Sequence, residues 1–236
     1  MTGRYGRARL RRLVGRLPYG SLFVGVAGLL LAIILSEQSS VPALVRHSID
    51  VSMNPDAWSF LYSPTMPAHP AAHPDGWSFD FPAQDGVHYL AQPVSGYASE
   101  IARAKFRIET TGTPFFDWRT NPNNTCDNPA TVRLYLQRRG DDLTAAKEFF
   151  RWWSNPVAYT LAPGAGDLVA PLEPARWSSV LGRKGTDSAA ASDGFQAALA
   201  DLGHIGMTFG GGCYYGHGVF VTGGSARFIA TEFAAR

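Results

Sequence analysis

The stretch Ile101-Ala-Arg-Ala-Lys-Phe-Arg-Ile-Glu-Thr110 decides the fold. Ala102, Ala104, Phe106 and Ile108 alternate with Arg103, Lys105, Arg107 and Glu109, so apolar and charged side chains leave the backbone on opposite sides. That period of two predicts a strand with one face on a core and the other in water, as in an antiparallel sheet. Val132, Leu134 and Leu136 repeat the pattern against Arg133, Tyr135 and Gln137, and Trp77, Phe79 and Phe81 repeat it against Ser78 and Asp80. Shorter runs at 87–91, 157–161, 167–172, 205–209, 219–222 and 226–233 read as further strands, separated by turn residues. The expectation is a mainly β chain, an antiparallel jelly-roll β-sandwich with one short helix, over residues 77–236. About 160 residues is ample for one core.

The helix is expected after Asp193, whose side chain can cap it. Phe195, Ala198, Leu199 and Leu202 mark its buried face, and Gly203 ends it. The segment 144–153 is ambiguous. Thr144 with Lys147-Glu148 resembles a helix start, whereas Phe149-Phe150-Arg151-Trp152-Trp153 suits a strand, and a strand is the expectation.

Ahead of the sandwich the sequence changes character. Residues 1–16 carry six arginines (Arg4, Arg7, Arg9, Arg11, Arg12, Arg16) and no acid, and an uncharged run follows over 17–36. As a helix that run reaches roughly 30 Å, the thickness of a hydrocarbon core, with every backbone group satisfied internally. Arginines on one flank predict a cytoplasmic tail over 1–16, a single transmembrane helix over 17–36, and a body in the periplasm. The expected location is thus a bacterial inner membrane, with the bilayer as one partner. A cleaved signal peptide is the competing reading, but Ser36-Glu-Gln-Ser-Ser-Val-Pro-Ala43 is a poor cleavage site. The formal charge of +2 comes from 21 Lys+Arg against 19 Asp+Glu. Without the six leading arginines acids outnumber bases, so no basic patch for nucleic acid is expected.

Residues 37–76 contain Pro42, Pro55, Pro64, Pro67, Pro70 and Pro74 and show no period of either kind, which predicts an extended tether. A proline-rich strip cannot bury enough surface to order itself. Trp58, Phe60, Leu61 and Tyr62 are therefore expected at the membrane interface or against a neighbouring subunit.

Two cysteines, Cys126 and Cys213, make a disulfide the default in an oxidising compartment. The chain-entropy model assigns roughly 4–5 kcal/mol to closing a loop of about 90 residues. A nucleophilic Cys213 beside His217 is the sharper alternative, but one inert pair explains both cysteines. No serine lies in a nucleophile-elbow pattern, and Gly210-Gly-Gly212 lacks the lysine and helix of a phosphate loop. His69, His73 and Asp75 have a metal-compatible spacing yet lie in the proline-rich segment, so no metal site is expected. Asn123-Asn-Thr125 matches a glycosylation sequon, a tripeptide that also occurs by chance.

The order Leu168-Val-Ala-Pro-Leu172, Trp177, a helix with Phe195, Ile205-Gly-Met-Thr-Phe209 and a closing Ala226-Arg-Phe-Ile-Ala-Thr-Glu-Phe233 resembles the galactose-binding-like jelly roll of carbohydrate-binding modules. The resemblance implies a β-sandwich with binding loops at one edge and, in some members, a structural calcium ion. It carries over no sugar-contacting residue, and no other cofactor is expected.

Two functions follow, neither enzymatic. An accessory or stabilising subunit of a larger membrane complex, respiratory or photosynthetic in type, would use anchor, tether and body together. Gly20, Gly25 and Gly28 would admit a partner helix, and Trp58, Phe60 and Tyr62 would meet neighbouring membrane-protein subunits. The alternative is a membrane-anchored glycan-binding module that uses Trp118, Trp152, Trp153, Tyr214 and Tyr215. Against it stands core packing, which claims one ring of each adjacent pair.

Overall fold

The computed structural model describes residues 49–119 and 127–236. The tail, the expected membrane helix with Gly20, Gly25 and Gly28, the sequon and Cys126 lie outside the described residues. Among the described residues no helix is long and apolar enough to cross a membrane.

Two antiparallel sheets pack as a sandwich. The larger is assembled from β1 (Ser59–Leu61), β4 (Tyr89–Gly96), β11 (Leu202–Gly211), β6 (Ala130–Arg138), β7 (Arg151–Ser154) and β10 (Trp177–Ser179) in that spatial order, with β8 (Tyr159–Thr160) also on β6. The smaller is β2 (Ala71–His73), β3 (Gly76–Asp80), β12 (Phe220–Ala235), β5 (Ile101–Asp117) and β9 (Gly164–Pro171). Among the described residues one α-helix, α1 (Ala189–Ala200), precedes β11.

β5 meets its expectation: Ala102, Ala104, Phe106 and Ile108 are buried, and Ala104 pairs in register with Phe233 of β12. The core between the sheets is aromatic. Phe106 and Phe79 stack on Phe228 at centroid separations of 4.6 and 5.3 Å, and Phe209 from the larger sheet meets Phe79 edge-on at 5.6 Å. Offset and edge-to-face contacts of this kind satisfy the ring quadrupoles as well as burying area.

Four expectations are corrected. The tether does not extend to residue 76, because the sandwich begins by residue 49. Ile49 is buried, Trp58 is fully buried against Trp77 and Phe233 at 5.1 and 5.0 Å, and Trp58 Nε1 donates to the Ser52 carbonyl at 2.7 Å. β1 and β2 are outermost strands, where a missing amide donor costs little, so the prolines around them mark sheet edges rather than a spacer. The helix starts earlier than Asp193: Ser188 Oγ accepts from the Ala191 amide at 3.1 Å, and Asp201 closes the other end. Ser188 wins because the alanines after it are strong helix formers, while Leu202 and Gly203 already belong to β11. The segment 144–153 divides into a 3-10 turn, Ala145–Phe150, and then β7, so the strand expectation holds only from Arg151.

The fourth correction leads to the site. β6 does not have one face in water: Arg133, Tyr135 and Gln137 are buried as deeply as Val132, Leu134 and Leu136. Something covers the outer face of the larger sheet.

Candidate functional site

Register defines that outer face. Tyr135 lies opposite Gly206 on one side and Trp153 on the other, Tyr89 opposite Thr208, and Gln137 between His204 and Arg151. Side chains alternate across a strand, so these residues share one surface. The loop after β6 and the loop 212–219 close over it. Tyr215 lies on the Arg133 guanidinium, whose carbon is 4.1 Å from the ring centroid, and Arg133 donates to the Ser154 carbonyl at 2.9 Å. Tyr89 packs on Tyr135 at 5.2 Å and Tyr135 on Trp153 at 5.7 Å, while Tyr62 meets Tyr89 at 6.0 Å.

A buried ion pair organises one end. The Asp141 side chain is 0% exposed and lies 3.0 Å from Arg151 Nε. Gln137 Nε2 and the Leu143 amide donate to Asp141 at 2.9 and 3.2 Å, and Arg151 Nη2 donates to the Thr144 carbonyl at 2.6 Å. Burial pushes the Tyr89 hydroxyl up to about 12 and that of Tyr135 well above its ordinary value, so both stay neutral. Burial lowers His217, helped by the charge of His88, and lowers His204 against the opposing pull of Asp141.

Two cavities open on this face. The first, about 810 Å³, is an open cleft lined chiefly by Tyr62, His88, Tyr89, Leu143, Arg151 and His217. The second, about 420 Å³, is lined by Trp153, Leu181, Tyr214, Tyr215 and again His217, with Cys213 at its margin. Tyr62, Asp85 and Leu143 have positive φ values of 56, 60 and 64°. Tyr62 and Leu143 line the first cleft, and the Asp85 carbonyl lies 3.0 Å from His88 Nε2. For side chains other than glycine this conformation is uncommon, and such strain gathers at functional sites. Gly216, at φ 72°, forms part of the wall, and a Cβ there would fall 2.6 Å from the Tyr89 hydroxyl. Only glycine lets that loop close on the ring.

The residues singled out from sequence separate into two groups. Trp58 and Phe60 serve packing: Phe60 meets Phe79 edge-on at 5.3 Å, and only Tyr62, 59% exposed, is presented outward. Trp118 is buried, donates Nε1 to the Asn128 carbonyl at 2.8 Å, and lies where a Cβ on Gly211 would strike its ring at 2.1 Å. Trp152 is fully buried beneath Phe195 of α1 at 5.1 Å. Trp153 is 4% exposed and forms part of the second cavity's lining, while Tyr214 and Tyr215 reach its rim. Tyr89, His88, Asp141 and Leu143 were not found from sequence. The one signal near them was the glycine-rich 210–218 loop.

His69 Nδ1 lies 2.7 Å from the Trp58 carbonyl and Asp75 is paired with Arg107 at 2.7 Å, so that spacing serves local structure. No group of three metal-ligating side chains occurs among the described residues. Nor is there a free cysteine among them. The pairing of Cys213 with Cys126 is a proposal, tested by a crosslinked peptide in non-reducing mass spectrometry. No family model matches this chain, and no curated protein or solved structure is similar to it.

Proposed function

We propose that this chain is a membrane-anchored module whose extracytoplasmic sandwich binds an uncharged carbohydrate in the cleft beside Tyr62, without chemistry of its own. The observation that carries the reading is an exposed aromatic ring, Tyr62, next to a hydrogen-bonding group held rigid, Arg151 on Asp141. A sugar offers C–H faces that pack on aromatic surface and hydroxyls that need fixed donors and acceptors. His217 adds a further polar group at the same opening, whereas both ring nitrogens of His88 lie on backbone carbonyls, those of Gly216 and Asp85 at 3.1 and 3.0 Å.

Charge supports an uncharged ligand. Arg151 faces Asp141, Lys147 faces Asp142 at 3.1 Å, and Arg183 is bidentate to Glu148, so these three cations are matched by carboxylates, while Arg133 is buried beneath Tyr215 and donates to the Ser154 carbonyl. An anion would find little unspent positive charge. Binding rather than catalysis is favoured because Asp141 is committed to Arg151, Gln137 and the Leu143 amide.

The likeness to a carbohydrate-binding jelly roll belongs to this proposal and is supported by the way β3, β4, β5 and β6 alternate between the two sheets. The anchor over 17–36, and with it the periplasmic placement, rests on the arginine asymmetry. The accessory-subunit reading loses its strongest residues, since Trp58 and Phe60 are spent inside the fold. Gly20, Gly25, Gly28 and the exposed Tyr62 are what remain for it.

The test is glycan-array binding by the full chain in a detergent without a sugar headgroup. Saturable binding to an uncharged glycan is expected, weakened about tenfold or more by Tyr62→Ala. Absence of binding, or binding indifferent to Tyr62, overturns the proposal.

A further inference from the structure

We propose that the two cavities are consecutive subsites of one groove, so that the ligand is a glycan chain lying across the strands rather than a single sugar. This inference rests on the carbohydrate reading and extends it. His217 lines both cavities, so they adjoin at this residue. Each volume, about 810 and about 420 Å³, lies within the roughly 300–1,000 Å³ of a small-molecule site. Two such spaces on one face, sharing a wall, suit successive units of one polymer.

The floor beneath them is continuous. Tyr62, Tyr89, Tyr135 and Trp153 form an unbroken aromatic row at 6.0, 5.2 and 5.7 Å. From Tyr89 on β4 to Trp153 on β7 the row passes over β11 and β6, with successive ring centroids 5.2 and 5.7 Å apart. A polar atom on this floor is unspent. Trp153 Nε1 has no hydrogen-bond partner among the described residues, although Trp153 is 4% exposed. Buried polar groups are rarely left so, and one on a residue that lines the second cavity points to a ligand that supplies a partner. At the far end Leu181 and Tyr214 stand out from the surface at 61% and 45% exposure, which gives a chain apolar area to lie on.

The probe is a length series of uncharged β-1,4-linked N-acetylglucosamine oligomers, from monomer to hexamer. Binding is measured calorimetrically with the full chain in a detergent without a sugar headgroup. Affinity is expected to rise about tenfold or more between the monomer and the tetramer. The double variant Leu181→Ser with Tyr214→Ala should weaken the hexamer about tenfold and leave the monomer, held at Tyr62, unchanged. Tyr62→Ala should weaken every length. Affinity independent of length, or a double variant that weakens monomer and hexamer alike, overturns the two-subsite groove while the carbohydrate reading stands. Tyr62-dependent binding of a single sugar on the array, with no oligomer bound at any length, has the same meaning. No Tyr62-dependent binding to any glycan overturns both.

Discussion

The two outer faces of the sandwich are built to opposite rules. On the smaller sheet the outward residues are charged and paired across strands: Arg103 donates Nε to Asp167 at 2.9 Å, Lys105 reaches Glu232 at 2.7 Å, Arg107 reaches Asp75 at 2.7 Å, and Arg227 reaches Asp80 at 2.7 Å. These partners keep substantial exposure, so water screens them and each pair is worth little. On the larger sheet the outward residues are aromatic or polar, buried beneath two loops, and partly left without partners. A solvated face needs only solubility. A covered face with strained backbone and unspent polar atoms lowers stability unless it does something else, which is why the site is assigned there.

The sharpest way to break this comparison uses one ion pair from each face. Asp141→Ala leaves the Arg151 guanidinium, 9% exposed, without its carboxylate, and should cost about 3–5 kcal/mol of unfolding free energy. Asp167→Ala frees Arg103 into water and should cost about 1 kcal/mol or less. Chemical denaturation of both variants checks this. Equal losses would mean that the outer face of the larger sheet is as wet as the other.

A smaller effect sharpens the same contrast. Tyr135→Phe removes a buried hydroxyl that has no partner among the described residues, so the unliganded protein should be unchanged or more stable, by about 1 kcal/mol. A clear loss of stability would show that the hydroxyl is satisfied within the fold.

The two faces also differ in how they appear in the sequence. Arg103, Lys105, Arg107 and Glu109 announce the solvated face, because charge alternating with Ala102, Ala104, Phe106 and Ile108 has one interpretation. Arg133, Tyr135 and Gln137 alternate just as regularly, yet what lies above them is set by loops 139–150 and 212–219, and no local period encodes a loop's landing place. Hydropathy cannot distinguish Trp152, packed under α1, from Trp153 on the opposite face, since both are tryptophans in one strand. The proline-rich segment misled for a related reason. Proline reports that a residue does not donate to a ladder, which is as true of an edge strand as of a free tether. Arg151 and Asp141 are ten positions apart and separated by a 3-10 turn, so only the fold brings them together.

The smallest expected effect separates the faces by pH. His204 and His217, on the covered side, have their ionisation lowered first by burial. Each is near 6.5 in the unfolded chain, so between that value and the lower folded one the unfolded state binds more protons. Stability should therefore be fully present above about pH 7 and decline as the pH falls through 6.5. On the solvated face Asp75, Asp167 and Glu232 are held below their ordinary range, in each case chiefly by the hydrogen-bonded cation beside them: Arg107, Arg103 and Lys105. Their contribution is present above the unfolded carboxylate values, near 4, and is lost only as the pH falls further. His204→Gln should flatten the stability profile between pH 7 and 5 and leave the acid limb alone. Glu232→Gln with Asp167→Asn should do the reverse. Thermal unfolding across pH 3–8 reads both limbs in one series. A His204→Gln profile parallel to that of the parent protein down to pH 5 would mean that this histidine is as solvated in the folded protein as in the unfolded chain.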